Sequence, residues 1–396
     1  MRIGWVDFSR EEKNNITTLL KMLGTQGSVD ELGIGTIRDY FSNKFFPGIT
    51  VLQTRAKYFV LIPYIFFDAQ KQKYNNKRDV ITWINRQEYR LVRTLVNEAP
   101  NEGGIIGRRS LMKEQAVKIK PSTIYWNGLR TIGAIKVPEC TINYACGIVY
   151  MESRKRREIS LKAENEDTKG DDKDMHREGR VLFEPINAGY DYLNNSSIHL
   201  EEHEAAYIHR LFTTSNQTKT SLMAFFLNNR DEFFDSFRFE SINANKLPDK
   251  LQHHYELAKQ FADFIYGAHA LYNVIYARGC DIKDDEINDK FEKWIDEGDY
   301  RCDIDTIITE SNCTHDTKVF LRRFTKCATE RDIAGLEKTV IDREREKKPG
   351  RTKLNRKSVY KYDSKARVHD YKLDYRYETA KTIIKDIFDG LEGSHG

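Results

Sequence analysis

Apolar positions recur at helical spacing through most of this chain. Ser9, Arg10, Glu11 and Glu12 read as a capping box, in which the Ser9 hydroxyl accepts from the third helical amide and Glu12 reaches back. Ile16, Leu19, Leu20 and Leu23 follow with helical period, and Gly24 is placed to close the helix. Gly33 and Gly35 lead into Ile37, Tyr40, Phe41 and Phe45, a run that Pro47 and Gly48 terminate. Residues 50–67 are apolar almost all round after Lys57, the pattern of a helix covered on several sides, with Pro63 expected to kink it. Residues 78–97 predict an amphipathic helix on Val80, Trp83, Ile84, Leu91 and Leu95, stopped near Pro100. Ser122 is placed to cap a short helix carrying Tyr125, Trp126, Leu129 and Ile132, with Gly133 at its end. The alternation through residues 141–151 predicts a strand. Further helices are expected over residues 199–212, 218–238, 250–278, 316–345 and 377–391. The fold class read from this pattern is mainly α-helical, α+β with a small β component in the N-terminal half.

Length and charge divide the chain. At 396 residues it is long enough for two or three domains, or one large helical one. Hydrophobic content of 39% excludes wholesale disorder. A mean hydropathy of −0.66 excludes an integral membrane protein, and the longest apolar run, residues 58–67, is about half a spanning helix. The acidic residues at 7, 11 and 12 leave no room for a secretory signal, and six scattered cysteines show no disulfide framework. A cytoplasmic location is therefore expected.

The net charge of +4 hides three blocks. Residues 1–150 carry 22 Lys and Arg against 13 Asp and Glu, residues 151–342 carry 27 against 38, and residues 343–396 carry 15 against 9. The expected organisation is a basic N-terminal domain (1–152), a charged loop or linker (153–180), an acidic helical domain (181–345), and a basic segment with a C-terminal helix (346–396). Within residues 347–367, nine cations face a single acid, Asp363. Such density suits a polyanion surface or a solvated tail.

Candidate chemistry is sparse. His199, Glu202 and His203 match the H-x-x-E-H pattern of inverted zinc peptidases, set against an exposed, charged first helical turn. Cys302, Cys313, His315 and Cys327 form a zinc set by residue type but lack a paired knuckle. Asp303, Asp305 and Glu310 in a strand-like stretch would suit Mg²⁺, with no lysine close behind them. The loop at 103–109 is glycine-rich and ends in Arg108 and Arg109, but lacks the ending of a nucleotide-hydrolysing loop. No catalytic set and no cofactor site is predicted. Arg55 and Lys57 border an apolar helix, so each must be paired or face a groove. The structural option pairs Arg55 with Asp7 or Asp39, while Arg38, Asp39 and Asn43 form an ion-pair corner. The functional option is a phosphate clamp of Arg38, Arg55, Lys57, Arg108 and Arg109, joined in the tail by Lys347, Lys348, Arg351, Lys353, Arg356 and Lys357.

Several segments together resemble one bacterial family of unknown function: RIGWVDFS at 2–9, ELGIGTIRD at 31–39, FPG at 46–48, QTRAKYF at 53–59 and PSTIYWNGL at 121–129, with KLDYR at 372–376, Asp386 and Gly390 near the C-terminus. The resemblance frames the whole chain. It implies a setting, phage-defence gene islands beside helicases, DNA methyltransferases and phospholipase-D-like nucleases. It carries no catalytic residue to this sequence. The expected function is thus a non-catalytic nucleic-acid-binding or assembly subunit of an antiphage system. Its expected partners are the DNA backbone and a helicase/ATPase, nuclease or methyltransferase of that system; no membrane or small-molecule partner is expected. The alternatives are a scaffold that binds only proteins and a metal-dependent hydrolase.

Overall fold

The computed structural model describes residues 30–113, 119–165, 181–354 and 361–393. The capping box expected at residues 9–12, and the helix after it, lie outside them. The chain is mainly helical. In chain order the helices are α1 (Gly35–Phe45), α2 (Tyr58–Lys71), α3 (Lys77–Glu98), α4 (Arg108–Met112), α5 (Pro121–Thr131), α6 (Ile142–Asn165), α7 (Glu202–Thr214) and α8 (Leu222–Asn228). They continue as α9 (Arg230–Phe234), α10 (Asp249–Gly279), α11 (Asp285–Glu297), α12 (Ile304–Ser311), α13 (His315–Thr329), α14 (Ile333–Lys347) and α15 (Tyr377–Leu391). Among the described residues no helix is long and apolar enough to cross a membrane.

The expected β component is absent from the described residues, which hold no strand and only an isolated antiparallel bridge between Ile135 and Phe183. Residues 141–151 belong to α6. Their buried set, Ala145, Cys146, Ile148 and Val149, repeats at the three- and four-residue steps of a helix and continues at Ser153, and the apparent alternation is incidental to it. The Thr141 hydroxyl accepts from the Tyr144 amide at 3.1 Å, a cap that marks the helix start. α6 also continues to Asn165, so the first part of the expected 153–180 loop is helical. The stretch expected as strand-like at 302–310 is the cap and nearly the whole of α12, where the Asp303 carboxylate accepts from the Thr306 amide at 3.1 Å.

The described residues pack as two compact units, each discontinuous in sequence. One contains Phe46–Arg230 and the C-terminal stretch from Glu378. The other contains Asp231–Tyr377 and the stretch that ends at Phe45. The consecutive charge blocks do not map onto these units, because charge reports on surface whereas the units are set by packing.

The first unit is built on α2, which packs against α3, α5, α6 and α7. Its side chains from Tyr58 to Phe66 are all buried, as an apolar surface on every side requires. The helix begins only at Tyr58, because residues 50–57 form turns in which the Gln53 side chain donates to the Gly48 carbonyl at 2.9 Å. Pro63 removes one backbone donor and the helix runs on to Lys71. The second unit is built on α10, which packs against α1, α11 and α14. Trp294 lies flat on α10 at Gly267, where a Cβ would meet the indole at 2.0 Å, and its Nε1 donates to the Asp263 carbonyl at 2.8 Å.

Candidate functional site

Arg55 and Lys57 leave the turn before α2 pointing into the first unit. The Arg55 Nε donates to both carboxylate oxygens of Asp386 on α15, each at 3.0 Å, and the Ala56 amide donates to the same group at 2.8 Å. The far side of the guanidinium meets Glu102 at 3.3 Å and the His199 Nδ1 at 3.4 Å. Burial works against the Arg55 charge, but Asp386 and Glu102 outweigh it and hold its pKa above the ordinary value. Burial raises the Asp386 pKa, opposed by Arg55 and the Ala56 amide. Tyr125 on α5 fixes the strand of backbone beneath. Its hydroxyl accepts from the amides of Thr54 and Arg55 at 2.7 and 3.0 Å and donates to the Arg55 carbonyl at 2.9 Å. The QTRAKYF, YWNGL and Asp386 segments thus meet in one polar core.

Lys57 is deeper. Its side chain is 1% exposed and its partner Glu204 is 0% exposed, with Nζ donating to the carboxylate at 2.5 Å. Glu204 also accepts from the Tyr64 hydroxyl at 3.0 Å, the Tyr190 hydroxyl at 3.3 Å and the Glu201 amide at 2.8 Å. Burial pulls the Lys57 pKa below its usual value and Glu204 pulls the other way. Burial also raises both tyrosines, with the Glu204 charge adding to it, so both stay protonated and donate to Glu204. A cation this enclosed cannot reach a backbone phosphate without stranding a carboxylate.

The remaining members of the expected clamp do not converge on it. Arg108 donates to the carbonyls of Ala99 and, at 2.7 Å, Pro100, closing its own loop. Arg109 is exposed. Arg38 belongs to the other unit, half exposed, with Asp39 at 3.9 Å. The expected corner exists there with a second cation added: Arg376 of the KLDYR segment donates to Asp39 at 2.8 Å and to Asn43 at 3.0 Å.

Among the described tail cations, Lys347, Lys348 and Lys353 are paired inside the second unit, while Lys361 and Lys365 are exposed. Lys348 and Lys353 both meet the buried Glu31, the latter at 2.9 Å, and burial pushes Lys348 down to about 8. Lys347 pairs with Asp316. The neighbouring Arg343, also buried, donates to the Leu32 carbonyl at 2.7 Å and to Thr317 at 2.8 Å. The ELGIGTIRD segment is therefore a docking strip for α14 and the residues after it. Arg351 is exposed, and Arg356 and Lys357 lie outside the described residues.

The metal patterns do not assemble. His199 precedes the start of α7 at Glu202, so the two histidines do not share a helical turn, and the His203 Nε2 pairs with the Asn187 carbonyl at 3.0 Å. Among the described residues no three His, Cys, Asp or Glu side chains are grouped to hold a metal ion. Cys313 and Cys327 are buried, and Cys302 is half-buried with its thiol pushed up by burial.

A cationic surface lies elsewhere, and the expected site omits it. Residues 71–78, at the turn between α2 and α3, and residues 154–157 on α6 come together in the first unit. Arg156 donates to the Gln70 carbonyl, and Arg157 donates to the Asn75 side chain at 3.4 Å. The Tyr150 hydroxyl donates to the Asn75 carbonyl at 3.2 Å, and the Tyr74 amide donates to the Ser153 hydroxyl at 3.1 Å. Lys71, Lys73, Lys77, Arg78, Arg154, Lys155, Arg156 and Arg157 give eight cations against Asp68, Asp79, Glu152 and Glu158. All four of residues 154–157 are exposed. The signal for it in the sequence is the uninterrupted run of four cations from Arg154 to Arg157.

The fold and these sites define a helical protein whose characteristic segments close buried ion pairs, with a basic surface on separate elements. The chain belongs to the family of unknown function DUF6361, whose model matches residues 1–317. Comparison with curated proteins returns no match, and comparison with solved structures returns none.

Proposed function

We propose that this protein is a nucleic-acid-binding or assembly subunit of a bacterial antiphage defence system, working beside helicase/ATPase or nuclease partners. One observation carries the binding half of this reading: the surface formed by residues 68–79 and 152–158, with eight cations against four carboxylates. Exposed cations on a helix keep their counterions until a polyanion displaces them, and that release drives backbone binding. Buried pairs such as Lys57 with Glu204 contribute nothing of this kind. The surface offers no base-reading geometry, so the expected contacts position a nucleic acid and leave its sequence unread. The defence setting rests on the family resemblance of the segments named above.

A salt-titrated DNA-binding assay on the purified chain tests the proposal. Replacing Arg154, Lys155, Arg156 and Arg157 by alanine should weaken binding and reduce the steepness of its salt dependence, by about one unit of slope per lost phosphate contact. No binding at low salt would overturn it. Persistent co-purification with a neighbouring helicase would then favour the scaffold reading.

A further inference from the structure

We infer that the basic surface takes a single-stranded nucleic acid, with one unstacked base seated in the groove beside Tyr144. This rests on the polyanion reading of α6 and adds the form of the ligand. A groove of about 540 Å³ lies at the start of α6, lined by Lys136, Val137, Pro138, Glu139, Tyr144 and Val181. Its size falls within the range of small-molecule sites. Both walls are fixed. On one side the Lys136 amide donates to the Leu182 carbonyl at 2.9 Å and the Glu184 amide donates to the Ala134 carbonyl at 2.7 Å. On the other, Tyr144 sits in the first turn of α6, behind the Thr141 cap.

The groove and the cationic run form one track. At about 100° per residue, Met151 and Lys155 return to within about 20° of the direction of Tyr144, and Lys155 lies about 16 Å further along the helix. Tyr144 is 49% exposed and Met151 is 65% exposed, so the stripe is apolar where it meets the groove and charged beyond. A phosphate makes no use of an aromatic face or of Val137 and Val181, and the Glu139 carboxylate at the rim repels it. An uncharged ring fits there, with its phosphates carried on by Lys155; Arg154, about 80° round the helix, donates to Glu158 at 2.8 Å. A duplex keeps its base faces inside the stack and offers only phosphates, whereas a single strand offers both.

The test compares a labelled oligothymidine with a duplex of mixed sequence at fixed salt, on the full chain. Tyr144→Ala should weaken oligothymidine binding about five- to a hundredfold, with the salt slope and the duplex affinity unchanged. Tyr144→Phe should bind as the parent does, since stacking needs the ring and not the hydroxyl. Unaltered oligothymidine binding by Tyr144→Ala, or equal losses on both probes, would overturn the inference. The double variant Arg154→Ala with Lys155→Ala should lose affinity and slope on both probes. If it loses neither while Tyr144→Ala weakens oligothymidine binding, the cationic reading of α6 fails separately. If the parent binds neither probe, both fail.

Discussion

Lys57→Met isolates the choice between a structural and a phosphate-binding role for the segment at 53–59. Methionine keeps most of the lysine stem and removes the charge, so the loss comes from Glu204, a fully buried carboxylate with no countercharge left at 2.5 Å. Breaking one side of a buried pair costs about 3–5 kcal/mol. Tyr64, Tyr190 and the Glu201 amide still donate to Glu204, which places the expected loss near the lower end, about 3 kcal/mol. For a unit of this size that lowers Tm by roughly 6–12 °C. The double variant Lys57→Met with Glu204→Gln should recover most of the loss, because the amide oxygen still accepts from both tyrosines. Thermal and urea unfolding, on the two single variants and the double, measure all of this. A Lys57→Met protein that keeps its Tm yet binds DNA less well would refute the reasoning and restore the clamp.

Two further outcomes are expected in the second unit. Gly267→Ala drives a methyl into the Trp294 indole and should cost about 1–3 kcal/mol, seen as a lower urea midpoint with an unchanged slope; an unshifted midpoint would mean the indole does not lie on α10 as described. His269 is buried with neither ring nitrogen hydrogen-bonded among the described residues, stacked on His369 at 4.7 Å, and burial depresses its pKa, with the His369 and Arg38 charges adding to this. The unfolded chain therefore takes up that proton first, and stability should fall as pH drops through about 6.5, by up to ~1.4 kcal/mol per pH unit. His269→Phe should flatten that part of the profile, and an identical profile in the variant would count against the argument.

The helices that were legible share a strong apolar period. The one expected at 250–278 appears as Asp249–Gly279, and the one at 377–391 matches Tyr377–Leu391. The failures share a different cause. Residues 141–151 contain so many apolar and small side chains that a two-residue and a four-residue repeat both fit. What separates them is a cap at Thr141 and a buried face that continues to Ser153, beyond the window read as a strand. The cations failed for want of partners. A charge beside an apolar helix announces that it must be paired, but Arg55 does not take the expected Asp39, and the other expected partner, Asp7, lies outside the described residues. The partner Arg55 does take, Asp386, lies 331 residues away, and no local pattern points to it. Asp39 keeps its neighbour Arg38 at 3.9 Å, and the chain brings Arg376 to it as well, from 337 residues away. The tail looked like a solvated stripe because its acids, Glu31 and Asp316, are supplied from elsewhere in the sequence.

The division of the chain has a consequence for its synthesis. The first unit draws α2 through α8 from one stretch and the residues from Glu378 from another, with most of the second unit written between them. On the ribosome, Arg55 emerges long before Asp386, and through that interval the first unit holds a cation whose closest carboxylate does not yet exist. Gly390 on α15, where a Cβ would come within 2.8 Å of Leu200 and Ala205, shows how closely the late helix fits against the early ones. A chain stopped short of residue 378 would contain nearly all of the second unit and still leave the first unable to close. Vectorial folding therefore cannot finish the two halves in the order they are made, and an early terminated product should be the more readily cleared by proteolysis.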